Sequence, residues 1–186
     1  MKKISLVSFL ILISLGVSSQ ITISRDDMPN VGDTIRLSNA LITNVFDPSQ
    51  TGADYTWDYS SLVPQTQVVE GYVSTQSTPF LYQIIFNQNV ANLASPIIDI
   101  PFLPDFPITD AYIFYKESNA SYTRAGYAAT IAGVPVPMKF DVAESLYTFP
   151  LTVNSPSDSS TSVFSFQFPG VGYFSIERKR VNSVEG

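Results

Sequence analysis

Short stretches of strict two-residue alternation, punctuated by proline, glycine and small polar residues, constrain this chain more than any other feature. Phe164, Phe166 and Phe168 are set against Ser165 and Gln167, and Phe174 and Ile176 against Ser175 and Glu177. Successive side chains of a strand point to opposite faces, so each such set shares one face of a sheet. The pattern returns at Ile35 and Leu37, at Tyr55, Trp57 and Tyr59, at Val68, Glu70 and Tyr72, and from Tyr112 to Tyr115. Ala132-Gly-Val-Pro135 divides the strand-like run 122–131 from 136–140 and predicts a hairpin. Sustained three-four apolar spacing with caps is missing throughout. Only 80–94, carrying Leu81, Ile84, Ile85 and Leu93, has room for a short helix, and an extended reading fits Gln83 to Phe86 about as well. About ten short strands at this spacing predict an all-β fold, an antiparallel β-sandwich or, alternatively, a partly open barrel.

The N-terminus follows a different rule. Lys2 and Lys3 precede the apolar run Ile4 to Val17, and Val17-Ser18-Ser19 is a small-residue cleavage signal before Gln20. This is the pattern of a cleaved secretory signal peptide over 1–19. The run is shorter than the roughly 20 apolar residues that a membrane-spanning helix needs, and no second long run follows it. The remaining 20–186 has the length of a single β-sandwich-like domain, without an internal repeat or a linker to split it. The expected location is outside the cell or on its outer surface.

Loss of Lys2 and Lys3 takes ten basic residues to eight against 16 acidic ones, and the formal charge from −6 to −8. That sign argues against nucleic acid as a partner, since polyanion binding draws on clustered Lys and Arg. Arg178-Lys179-Arg180 is the one basic cluster and reads as a solvated strand end. The chain has no cysteine, hence no disulfide and no site for an N-terminal lipid anchor. Stability must come from burial and backbone pairing, which 13% aromatic and only 14% charged residues permit. With neither His nor Cys present, a Ser-His-Asp triad, a cysteine nucleophile and the usual zinc sites are closed to it. Paired carboxylates stay open, with Asp99, Asp105, Asp110, Asp141 and Glu144 as the candidates, although no spacing sets two of them across a bond.

Gln20-Ile-Thr-Ile, then Asp27-Met-Pro-Asn-Val-Gly-Asp-Thr-Ile-Arg36, then Thr51-Gly-Ala-Asp-Tyr-Thr-Trp-Asp-Tyr-Ser-Ser-Leu62, form a series that resembles the start of secreted β-rich proteins of Bacteroidetes-type bacteria. The likeness runs more loosely through Pro96 to Asp110, Leu146 to Leu151 and Arg180 to Gly186. Many such proteins carry a C-terminal type IX secretion sorting domain, which this chain does not have. The resemblance implies a compartment and supplies no catalytic residue. It also implies that the chain continues beyond Gly186 into further strands.

Four local features are candidate sites. Asp26, Asp27, Asn30 and Asp33 offer oxygens to a hard cation such as calcium, although their spacing departs from the D-x-[DN]-x-[DN]-G loop. The alternative is a plain turn at Pro29-Asn-Val-Gly32 with solvated aspartates. Tyr55, Trp57 and Tyr59, bracketed by Asp54 and Asp58, would make a platform on which a sugar ring stacks, or else the inward face of a strand. Pro96, Pro101, Pro104 and Pro107 bar the apolar run 95–110 from a helix or a central strand, so it covers an open end of the fold or presents an apolar patch. Asn119-Ala-Ser121 and Asp33-Thr-Ile35 match short glycan-acceptor patterns.

Two functions fit. One is a non-enzymatic surface or adhesion module that binds a glycan or another surface protein. The other is an accessory piece of a secreted, for example carbohydrate-active, hydrolase whose catalytic residues lie beyond residue 186.

Overall fold

The computed structural model describes residues 22–41, 56, 58–98, 107–168 and 172–184. In chain order the elements are β1 (Thr22–Ile23), β2 (Thr34–Ala40), β3 (Pro64–Gly71), β4 (Val73–Ser74), the helix α1 (Phe80–Ile85), β5 (Leu93–Pro96) and β6 (Ile108–Glu117). β7 (Ser121–Ile131), β8 (Val134–Thr148), β9 (Leu151–Thr152), β10 (Asp158–Phe168) and β11 (Gly172–Asn182) follow. The signal-peptide segment 1–19 lies outside the described residues. No helix among the described residues is long and apolar enough to cross a membrane.

A seven-stranded sheet in the order β11-β10-β8-β7-β6-β5-β4 forms the body, and its neighbouring strands pair antiparallel. Two ribbons, β1 with β9 and β2 with β3, complete the strands. The all-β, antiparallel expectation therefore holds, and the described strands do not close into a barrel.

The hairpin at 132–133 shows how locally this is set. Ile131 pairs with Val134, leaving Ala132 and Gly133 as the loop, both at positive φ (49° and 79°). That is the backbone of a two-residue turn whose twist matches the strands it joins. Pro135 and Pro137 follow inside β8, paired with Thr130 and Ala128 of β7. The register pair between β8 and β10 is Val142 with Val163, so both prolines lie outside it.

The sheet is covered on both faces. Ala94 and Leu93 are neighbours on β5, as are Phe114 and Tyr115 on β6, so their side chains take opposite faces. On one face Ala94 and Phe114 join Ala125, Ala128 and the α1 side of Tyr82 and Phe86. The Phe86 and Phe114 rings stack at 3.9 Å, and the Tyr82 hydroxyl bonds the Thr130 hydroxyl at 2.9 Å. α1 comes this close because β7 offers small residues: a Cβ on Gly126 would lie 3.1 Å from the Phe86 ring. On the other face Leu93 and Tyr115 pack with Tyr72, Tyr122 and Leu146, flanked by Met28 and Phe149. Each such apolar side chain contributes about 1.5–3 kcal/mol on burial. Two covered faces are consistent with sandwich-like packing.

Candidate functional site

The second face ends in charge. Toward β8 and β10 it gives way to a polar cluster built from Arg124, Tyr127, Glu144, Arg178 and Arg180. Its position follows from a break in pairing between β7 and β8. Arg124 lies opposite Glu144 and Gly126 opposite Lys139, so β8 spends residues 140–143 against Ala125 alone. Gly126 takes the turn at φ 153°, a region that only glycine enters without strain. Within the excursion, Val142 meets Val163 and attaches the β10–β11 hairpin to the sheet. One irregularity thus sets Arg124 across from a carboxylate and brings the arginines of β11 alongside.

Arg124 Nη1 donates to Glu144 Oε2 at 2.8 Å, and their side chains are 19% and 5% exposed. The same Nη1 donates to the Tyr127 hydroxyl at 3.3 Å, which also accepts from Arg178 Nη1 at 3.4 Å. Arg180 Nη1 stands 3.9 Å from the other Glu144 oxygen. The Arg124 guanidinium lies over the rings of Tyr115 and Tyr127, at 6.0 and 5.8 Å from their centroids. Burial works to lower the Arg124 pKa, but the charges of Tyr127, Glu144 and Tyr115 outweigh it and raise the pKa, so the cation is secure. Two buried polar atoms here have no hydrogen-bond partner, Arg124 Nε and Ser162 Oγ. Ser162 is the cross-strand partner of Arg178 and shares its sheet face. Two guanidiniums therefore flank one carboxylate and a third, Arg178, reaches the phenol oxygen beside it, next to a groove of about 310 Å³ lined by Arg180, Asp158, Asn182, Thr148, Tyr147 and Leu146. Asp158 there accepts from Thr148 and Asn182, and Asn182 in turn accepts from Arg180 Nε.

A second ion pair joins the N-terminal segment to the sheet. Arg25 Nε is 2.9 Å from Glu117 Oε1, close enough for charge pairing but without the alignment of a hydrogen bond. Nearby, burial holds the hydroxyl pKa values of Tyr72, Tyr115 and Tyr122 above the ordinary tyrosine value. For Tyr72 the neighbouring Glu70 carboxylate adds to the effect.

The acidic turn is assembled as a turn. Asp26, Asp27, Asn30 and Asp33 line one shallow, open concavity. Asp27 Oδ2 accepts from both the backbone N–H and the hydroxyl of Ser24, closing a capping box around one turn of 3-10 helix at Arg25–Asp27. Asp33 Oδ2 accepts from the Asn30 N–H at 2.7 Å, and Gly32, at φ 97°, donates its N–H to Tyr72. Among the described residues no group of three or more His, Cys, Asp or Glu gathers closely enough to hold a metal ion.

Of the aromatic platform, Asp54, Tyr55 and Trp57 lie outside the described residues. Asp58 and Tyr59 are exposed, and Asp58, whose pKa is lowered first by the Ser60 hydroxyl and then by the Ser60 N–H, accepts from that N–H at 2.9 Å. Of the carboxylates open to catalysis, Asp99 and Asp105 are likewise outside, Asp110 and Asp141 are exposed, and Glu144 sits in the arginine cluster. Asn119 is exposed on the β6–β7 turn, and Asp33 and Thr34 are exposed at the start of β2. Arg178-Lys179-Arg180 belongs to β11 as a strand run, but two of its members are drawn to Glu144 and Tyr127. Charge counting along the sequence did not find this cluster, because Arg124, Glu144 and Arg178 are brought together only by the sheet. No protein-family model matches the chain, and neither a curated protein nor a solved structure matches it.

Proposed function

We propose that this chain is an exported, non-enzymatic binding module of the outer cell surface, with a surface glycan or another surface protein as its partner. Export rests on the n-region, apolar run and small-residue cleavage signal of 1–19. The observation that carries the binding reading is the state of Glu144. It is the one catalytic candidate among the described residues that is buried, and it is held between Arg124 at 2.8 Å and Arg180 at 3.9 Å. A carboxylate in that position has its oxygens engaged by guanidiniums and is held in place, whereas a catalytic carboxyl must present an oxygen to the substrate. Its companions, guanidiniums and tyrosines beside a groove, are recognition groups.

Two measurements test the reading. Protease shaving of intact cells that express the full chain removes it if it is surface-exposed. An intracellular chain that keeps Met1 to Ser19 overturns export. The purified chain is expected to be retained on cell envelopes or insoluble polysaccharides without hydrolysing chromogenic glycosides. Turnover that disappears in Glu144→Gln overturns the non-enzymatic reading.

A further inference from the structure

We propose that the face of the Arg124–Glu144 cluster at β11 is a binding site for an oxyanion, a carboxylate or sulfate group borne by the ligand, with Arg178 and Arg180 as its primary contacts. The inference rests on the binding reading above and names the chemistry of that same site.

Charge balance is the first argument. Arg124 and Arg180 flank a single glutamate and Arg178 shares the Tyr127 hydroxyl with Arg124, in a chain whose formal charge is −6. Glu144 is engaged chiefly by Arg124, the more buried of its two arginine partners. Arg178 has a shared phenol oxygen as its hydrogen-bond partner, at 3.4 Å. A phenol oxygen that accepts from two guanidiniums gives each a weak, long bond. Arg178 is exposed and Arg180 half-buried, so both are open to a ligand.

The second argument is an unpartnered donor on the sheet face that carries Arg178. Ser162 Oγ is 2% exposed, has no hydrogen-bond partner, and shares its sheet face with Arg178. A buried hydroxyl without a partner is costly unless something completes it, and an anion accepts from a hydroxyl as readily as from a guanidinium. The third is shape. Arg180 is common to the cluster and to the groove of about 310 Å³, so a group held by the guanidiniums can extend the rest of its molecule into the groove. Asp158, the acid of that groove, has both oxygens occupied by Thr148 and Asn182. Guanidinium forks match carboxylate and sulfate oxygens in pairs, whereas a neutral sugar offers them nothing comparable. The negative charge of the whole chain opposes long polyanions and favours short ligands.

Calorimetric titration of the purified chain with trigalacturonate, inorganic sulfate and neutral maltotriose tests this. Trigalacturonate or sulfate is expected to bind, and the Arg178→Gln/Arg180→Gln variant to weaken that binding by at least about tenfold. Lys179→Gln makes a comparable charge change on the opposite face of the same strand and is expected to cost less than about twofold. Binding of both anions assigns the site to the oxyanion itself, and binding of trigalacturonate alone assigns it to an acidic sugar. Failure of both anions to bind, or an equal loss in Lys179→Gln, overturns the proposal. Maltotriose binding without either anion overturns the oxyanion site while leaving the binding-module reading in place. Circular dichroism of each variant confirms that the exposed substitutions leave the fold intact.

Discussion

Removing one partner of the Arg124–Glu144 pair should cost far more than removing both. Glu144 is 5% exposed at its side chain and Arg124 19%, so neither ion can turn to bulk water once its partner is gone. Breaking such a pair from one side costs about 3–5 kcal/mol, because a desolvated charge is left behind. Arg124→Met belongs at the lower end, about 3 kcal/mol, since Arg180 at 3.9 Å remains to share the Glu144 charge. Glu144→Leu is expected to cost about 4 kcal/mol, as it leaves the buried Arg124 and its neighbour Arg180 without their carboxylate. The double variant replaces the pair with apolar side chains of similar volume and loses mainly the Tyr127 hydrogen bond and the tyrosine ring contacts of Arg124, together about 2 kcal/mol. The coupling is then about 5 kcal/mol, within the range measured for close charge pairs. Equilibrium urea unfolding of the parent and the three variants at fixed, low ionic strength gives all four values. A double variant that costs the sum of the singles to within about 0.5 kcal/mol refutes the argument, as does a Glu144→Leu loss below about 1 kcal/mol.

Two further outcomes follow from the same geometry. Gly126→Ala should destabilise by about 2–5 kcal/mol in urea unfolding, because φ is 153° there and a Cβ would overlap the Met138 carbonyl oxygen; a loss under about 1 kcal/mol contradicts this. Burial raises the pKa values of Tyr72, Tyr115 and Tyr122 in the folded chain, so their contribution is intact below the unfolded value of about 10 and falls as pH rises beyond it. The urea midpoint should drop between about pH 9 and 11, less steeply in Tyr122→Phe, and an unchanged slope in that variant contradicts the assignment.

The strands were legible because their signals are local. Alternation at Ile35 and Leu37, from Tyr112 to Tyr115, and at Phe164 and Ile176 maps onto β2, β6, β10 and β11. The Ala132-Gly133 turn lies where the sequence placed a hairpin, because the loop needs positive φ and little else. The short helix at Phe80–Ile85 falls within the one window with room for it. The aspartates of the acidic turn carried a weak calcium signal, and the structure gives Asp27 and Asp33 local work as acceptors for Ser24 and Asn30.

The arginine cluster was not legible. Its members are spread from Arg124 to Arg180, and a basic triplet in β11 looks the same whether it is solvated or drawn onto a partner strand. Only a break in pairing at Gly126 brings Arg124 opposite Glu144, and the Val142–Val163 register pair, with the Ser160–Ser145 and Asn182–Leu146 bonds beside it, holds the hairpin that carries Arg178 and Arg180. Period and turn chemistry act over a few residues, so the sequence by itself determined the strands, their antiparallel order around the tight turn, and the chemistries closed to a chain without His or Cys. Which charges meet depends on register across strands far apart in the chain, and tertiary packing alone decides that.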